Sequence, residues 1–477
     1  DTTLHKTMWS IITISWAVIW ATFLLIQVSL FGQYHVSMKA SEQQLCFQSE
    51  SHSSGGEGTA GNSDRPPLLS PSSIGCHYSQ ANDSPKLKQS NANMHMNSNS
   101  SARTTSRKSI SFQDLEPNSG IQYDTLKYRA PSIYPNVNYT TVQQIARPYD
   151  VWKRPFPCFP TEPDWYTVPR QKTATKQGFF YFKARKAGSS TVAGVALRIA
   201  RAKAQQLGLQ ATSLNATHCH TRYGHPAAHR LHYHDRDREN SYLWSIIREP
   251  TKRDISEFFH FAVSRGSKME PSRQGFQAYH EWTPLMHEYY LQFMSTDKAY
   301  KMGEKGQDYV QSVAKIMTDY DFIGITERMH ESLVVLQLLL DLQTSDILFL
   351  SAKTSGGWDD GLSNGQCYYI HPPVVSPQLA DYFQSEAWWE KTKGGNLLYV
   401  AANRSLDLTI ASFDQTVFQQ KLKRYKWALH EAQIRCQDQV QFPCSAGGVR
   451  QENHDCLLWD SGCGYDCLDR VARELGL

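Results

Sequence analysis

Two stretches carry residue types suited to holding phosphate. One is Phe179–Thr191, FFYFKARKAGSST; the other is Trp244–Ser256, WSIIREPTKRDIS. Each is an apolar run that ends in a small or basic turn and passes into a helical pattern. In the first, Gly188 lets the backbone approach an anion and take left-handed φ values. The N–H groups of the helix start that follows favour a phosphate, and the helix dipole adds to them. Ser189, Ser190 and Thr191 supply hydroxyl donors, and Lys186, beside Ala187, supplies a mobile positive charge. Lys183 at the strand end is a second basic candidate. GxxxxGK[ST] is absent, so the loop is not a Walker A sequence. Taken alone, it also reads as an ordinary strand, turn and helix with a surface lysine.

The second stretch changes that balance. Arg248 follows SYLWSII, at the carboxyl end of a strand, where ligands of open α/β sheets bind. Pro250 suits a first helical turn. Ile255, Phe258, Phe259 and Ala262 then share one apolar helix face, with Ser256 beside it. Arginine offers phosphate a planar fork, and a serine hydroxyl completes the cage. The plain alternative pairs Arg248 with Glu249 or Asp254 at the surface. Two such units together predict a ligand with phosphates at both ends.

The elements needed to position these residues are visible as periodicity. Strand candidates at 179–183, 242–247, 321–326 and 346–350 alternate with helix candidates at 190–206, 251–263 and 329–342. That alternation predicts an α/β fold, a P-loop-like three-layer α/β/α arrangement around a central, mainly parallel sheet. Met8–Phe31 is apolar, uncharged and long enough to span a bilayer as a helix; a cleaved signal peptide is the alternative. The expected organisation is a short cytoplasmic tail at 1–7, a signal anchor at 8–31, and a disordered Ser/Asn/Gly-rich stem at 32–110. A lumenal domain at 111–430 and a cysteine-rich segment at 431–477 follow.

The two units resemble the 5′-phosphosulfate loop and the 3′-phosphate site of sulfotransferases that use 3′-phosphoadenosine 5′-phosphosulfate (PAPS). The nearest likeness is to Golgi carbohydrate sulfotransferases of the galactose 3-O and heparan/uronyl 2-O types. Lys186–Thr191 matches their Lys-x-Gly-Ser-Ser-Thr loop. Arg248, Pro250 and Ser256 match their Arg-x-Pro strand end with its later serine. DFIGITERMHESLVVLQLLL (321–340) and LLYVAANRSLDLTI (397–410) agree as well, so the resemblance spans about Gln177 to Ile410. It implies PAPS as co-substrate, bound by Lys183, Lys186, Ala187, Gly188, Ser189, Ser190, Thr191, Arg248 and Ser256. It implies a carbohydrate hydroxyl as acceptor, no metal and no nucleic acid. It also implies a single-pass type II protein of the Golgi membrane, held by one N-terminal helix.

Sulfuryl transfer to a hydroxyl needs a general base, and a histidine-dense segment lies between the two units, THCHTRYGHPAAHRLHYH. His220 heads a His-x-Arg-aromatic string like that of the galactose type; His225, in Gly-His, resembles the 2-O type. Both remain candidates. His218/His220 and His232/His234 have chelating spacings, but no HExxH-type motif accompanies them. Lys353 is a candidate to close over the nucleotide, whereas Glu327 and Arg328 read as a structural ion pair.

Ten cysteines, five of them in Cys436–Cys467, lack paired CxxC units and point to disulfides rather than zinc. Sequons at Asn99, Asn138, Asn215 and Asn403 fit secretory passage. The net charge of +4 suits an anionic donor or glycan without requiring nucleic acid. Two other function classes stay open: a phosphoryl transferase, and a non-catalytic lumenal glycan-binding protein of the same fold.

Overall fold

In the computed structural model the run GFFYF forms strand β1 (Gly178–Phe182), buried along its whole length. With β2 (Thr221–Gly224), β3 (Ser241–Ile247) and β4 (Phe322–Ile325) it builds a four-stranded, all-parallel sheet in the order β2-β1-β3-β4. The register pairs Phe179 with Tyr242 and Tyr181 with Trp244. These rings therefore share a face, with Tyr181 and Trp244 centroids 4.7 Å apart. Phe180 and Phe182 turn to the other face, against Tyr233 and Tyr320. Strands apolar on both sides are what a covered parallel sheet requires.

The structure describes residues 128–158, 160–161, 176–208, 218–265, 269–283, 288–296, 308–351, 356–360, 366–440, 444–451 and 462–477, all in the compact unit Thr104–Leu477. The Met8–Phe31 span, the stem to residue 110, Lys353, and the sequons at Asn99 and Asn215 lie outside the described residues. Among the described residues no helix is long and apolar enough to cross a membrane.

Helix α1 (Tyr139–Ile145) is N-capped by Asn138 and precedes the sheet. Helix α2 (Ser189–Gln206) follows β1 and buries Val192, Val195, Ala196 and Ile199, the expected stripe. After β3, α3 (Pro250–Glu257) continues as π-helical turns over Phe258–Arg265. The expected single α-helix at 251–263 therefore changes pitch midway. Its apolar face still holds: Ile255, Phe258, Phe259 and Ala262 are buried in one cluster with Phe276 and Trp388. Next come α4 (Arg273–Trp282), α5 (Tyr289–Met294) and α6 (Tyr309–Asp319), then β4 and α7 (Met329–Leu339). Helices α8 (Lys393–Ser412), α9 (Gln415–Cys436) and α10 (Tyr465–Glu474) end the chain.

Two expectations need correction. Residues 346–350 form no strand: Thr344–Ile347 is a 3-10 turn fixed by a reciprocal cap between Gln343 and Asp346. Ile347, Leu348, Phe349 and Leu350 are buried all the same, so the apolar run is core without being sheet. Glu327 and Arg328 do not pair with each other. Arg328 binds Glu331 and Asp407, and Glu327 accepts from the Glu249 N–H. The histidine-dense segment also supplies the edge strand β2, which its composition did not announce.

Disulfides join Cys158 to Cys219, Cys367 to Cys444 and Cys436 to Cys467. The last links the end of α9 to α10, across a separation of 31 residues. Replacing both Cys436 and Cys467 by Ala removes that cross-link from the unfolded chain. The expected loss is about 2–4 kcal/mol of stability, read from urea unfolding at fixed pH.

Candidate functional site

The two phosphate-suited stretches end side by side. Strand β1 leads by way of α2 to β2 on one side, while β3 leads to β4 on the other. The carboxyl ends of β1 and β3 therefore flank a topological switch point, the place where open α/β sheets form a ligand crevice. The loop after β1 carries Lys183–Gly188; the turn after β3 carries Arg248. The guanidinium Nη1 of Arg248 lies 3.4 Å from the Lys186 carbonyl oxygen.

The loop has an unusual backbone. Lys186 has φ 59° and Gly188 φ 70°, both left-handed, bracketing Ala187. A lysine in that region is held by its surroundings at some cost. At Gly188 an added Cβ would also come within 3.3 Å of Met329 Cε. Gly188 is the N-cap of α2 and makes no side-chain cap. The first-turn N–H groups of Ser189, Ser190 and Thr191 thus face the crevice end with no intrahelical acceptor. Ser189 is buried; Ser190 and Thr191 are half-buried.

Three hydroxyls hold this frame. Thr326 Oγ1 donates to the Ala187 and Ile247 carbonyls, at 3.1 and 3.0 Å. Tyr289 OH accepts from the Arg185 N–H at 2.9 Å. Tyr290 OH accepts from the Arg248 N–H at 2.9 Å and donates to the Arg248 carbonyl at 2.6 Å. Sequence reasoning missed all three. The adjacent tyrosines of α5 gave no local signal of partners lying far away in the chain.

Cations dominate the site. Lys183 is almost fully buried, with Nζ 5.9 Å from the centre of the Tyr223 ring. Burial pushes the Lys186 ammonium down to about 8; Asp359 and Glu257 oppose that fall, and Arg248 and Arg265 add to it. Glu257 also faces Arg185 at 3.9 Å and binds Arg253, and Asp359 pairs with Arg265 at 2.8 Å. Ser256 is half-buried on α3, after the Arg248 turn.

The register separates the two histidine candidates. His225 directly follows β2, at the carboxyl edge of the sheet, and its Nδ1 lies 2.8 Å from the Lys183 carbonyl oxygen. A carbonyl only accepts, so Nδ1 carries the proton and Nε2 is the basic nitrogen. His220 precedes β2 and packs against Gly178, at the amino edge. Four strand residues lie between them, so the two sit roughly 16 Å apart along the strand direction. His225 joins the crevice; His220 does not.

Glu249 begins α3, accepting from the Lys252 N–H at 2.7 Å and from Tyr134 OH at 3.3 Å. Comparison with known proteins adds no relative: no family model, curated protein or solved structure matches this chain.

Burial pushes the Glu249 carboxyl up to about 7, against the Lys252 N–H and with a further push from Glu327. Its folded pKa therefore exceeds the ordinary 4.5, and the folded chain keeps a proton that the unfolded chain has released. The resulting stabilisation is present at low pH and is lost as pH rises to about 7. Glu249→Gln keeps the cap and cannot ionise. Its stability relative to wild type should climb by on the order of 1–3 kcal/mol across that window, measured by urea unfolding at pH 5 and pH 8.

Proposed function

We propose that this chain is a PAPS-dependent carbohydrate O-sulfotransferase. The observation that carries the reading is the pairing of two cation-bearing turns at one switch point. The Lys186–Thr191 loop follows β1, and Arg248 follows the adjacent β3. A nucleotide with phosphate at both ends fits such a pair. The left-handed residues Lys186 and Gly188 and the uncapped start of α2 suit the 5′-phosphosulfate. Arg248, with Ser256 nearby on α3, suits the 3′-phosphate. The right-handed crossover rule puts the helices that follow β1 and β3 on opposite faces, in keeping with a P-loop-like three-layer arrangement. The disulfides among the described residues favour an oxidising compartment, in keeping with a Golgi lumenal domain behind the Met8–Phe31 anchor.

In this mechanism the acceptor sugar hydroxyl attacks the donor sulfur in line. The new S–O bond forms as the bond from sulfur to the 5′-phosphate oxygen breaks, and adenosine 3′,5′-bisphosphate leaves. His225 Nε2 takes the hydroxyl proton, with Nδ1 anchored on the Lys183 carbonyl. Lys186 and the loop N–H groups stabilise the charge that grows on the leaving phosphate oxygen.

Full-length protein with PAPS and a panel of glycans tests the reading. Arg248→Ala should weaken adenosine 3′,5′-bisphosphate binding by about 1.5–3 kcal/mol in calorimetry. His225→Ala should bind that nucleotide normally and lose roughly 10²–10⁴-fold in sulfate transfer. Nucleotide binding with no transfer to any glycan would favour a non-catalytic glycan-binding protein. Binding of a nucleoside triphosphate in preference would favour phosphoryl transfer.

Lys186 adds a pH signature. The ammonium loses its proton as pH rises through about 8, so nucleotide affinity should fall there. Lys186→Arg stays charged and should flatten the profile. An unchanged slope in the arginine variant would assign the titration to another group.

A further inference from the structure

On the sheet face that carries Phe180, the chain makes a tight turn with the sequence His232-Tyr233-His234-Asp235. Tyr233–Asp235 is a 3-10 turn with His232 as its N-cap, left-handed at φ 56°. Tyr233 anchors it from inside. Its ring stacks on Phe180 at 5.5 Å, and its OH lies 3.1 Å from both the Tyr181 and the Arg222 carbonyls. With Tyr233 turned inward, the His232 and His234 side chains stand half-buried beside the exposed Asp235. The two imidazoles stack at 5.8 Å. His232 Nδ1 lies 3.5 Å from Asp235 Oδ2, and His234 Nε2 lies 3.2 Å from Asp235 Oδ1. One ligand atom from each residue falls within 4.8 Å of the others, the one such group of three among the described residues.

We propose that His232, His234 and Asp235 bind a single zinc-like divalent cation, outside the crevice. Bonds of about 2.0–2.1 Å to nitrogen and oxygen in a tetrahedral set give ligand–ligand edges of about 3.3 Å. The His–Asp separations, 3.5 Å to one carboxylate oxygen and 3.2 Å to the other, lie close to that edge, and rotation of the exposed carboxylate with small shifts of the half-buried rings brings one oxygen to both nitrogens. Two imidazoles and a carboxylate are borderline donors that suit Zn²⁺ and its late first-row neighbours over Ca²⁺ or Mg²⁺. Because three side chains fill three positions, a fourth is left for solvent. His234 also lines a cavity of about 330 Å³ with Arg236, Arg238 and Lys315, which gives that fourth ligand room. The ion takes no part in the transfer chemistry, and the assignment stands whether or not PAPS is the donor.

The test uses the full-length chain, stripped with chelator and titrated with Co²⁺ and, separately, Zn²⁺ at neutral pH. One Co²⁺ should give a visible d–d band of tetrahedral intensity, and Zn²⁺ should displace it and raise the melting temperature. His234→Gln and Asp235→Asn should each lower affinity by about tenfold or more. His232→Asn should do the same while tolerating the left-handed backbone. A cooperative urea unfolding transition in each metal-free variant reports that it has folded. Absence of a one-to-one Co²⁺ band, or a band of equal affinity in all three variants, overturns the site and leaves a plain His–Asp ion pair.

Discussion

One hydroxyl proton sets the geometry of the crevice. Thr326, just past β4, reaches the carbonyls of Ala187 and Ile247 together. It thereby fixes how far the β1 loop stands from the Arg248 turn. Tyr289 and Tyr290 set the same two segments from the other side. These tyrosines are themselves aimed by Glu288, whose carboxylate accepts from the Gly394 and Gly395 N–H groups at 2.7 Å each. That carboxylate occupies the N-terminus of α8 as a bound anion would. A Cβ at Gly394 would fall 2.5 Å from Leu291 Cδ2, so only glycine lets α5 and α8 meet this closely. The positioning thus runs from α8 through α5 to both strand ends.

Against that rigid frame the site holds cations that water does not fully solvate. Lys186 feels the loss of water more than it feels its carboxylate neighbours, which is why its proton is loosened. A polyanionic ligand would restore what burial removes. The same accounting explains Arg253, which is fully buried yet bound by Asp254 and Glu257 and lies over the Tyr289 ring at 4.1 Å. Paired in this way, Arg253 helps hold α3 against α5; unpaired, it would be among the costliest groups in the fold.

What was legible in the sequence was local. The β1 loop, the α2 stripe and the Arg248 turn follow from apolar period, a glycine and a proline within one unit of chain. The parallel sheet also follows, because alternation of elements constrains topology. What escaped was set by distant partners. The run at 346–350 has strand-like composition, but the Gln343–Asp346 cap bends the chain before any strand can form. Six histidines in one segment look equivalent until β2 pairs with β1. The register then sends His225 to one edge and His220 to the other. Thr326 and Tyr290 carry no local mark of their partners, since a hydroxyl reads the same wherever it points.

The short strand β2 has a consequence for how the protein survives. Among the described residues it is an outer strand of its sheet, the position at which another chain can pair. Here its amino end runs directly out of Cys219, which is bonded to Cys158 and paired with Pro160. Phe156 and Cys158 pack over the same spot, against Ala200 and Ala204. The cystine therefore pins the amino end of that strand to the chain before β1 and to α2. Where thiols are kept reduced that covalent tie is absent, and the strand that leads to His225 is held at its amino end by packing and backbone pairing.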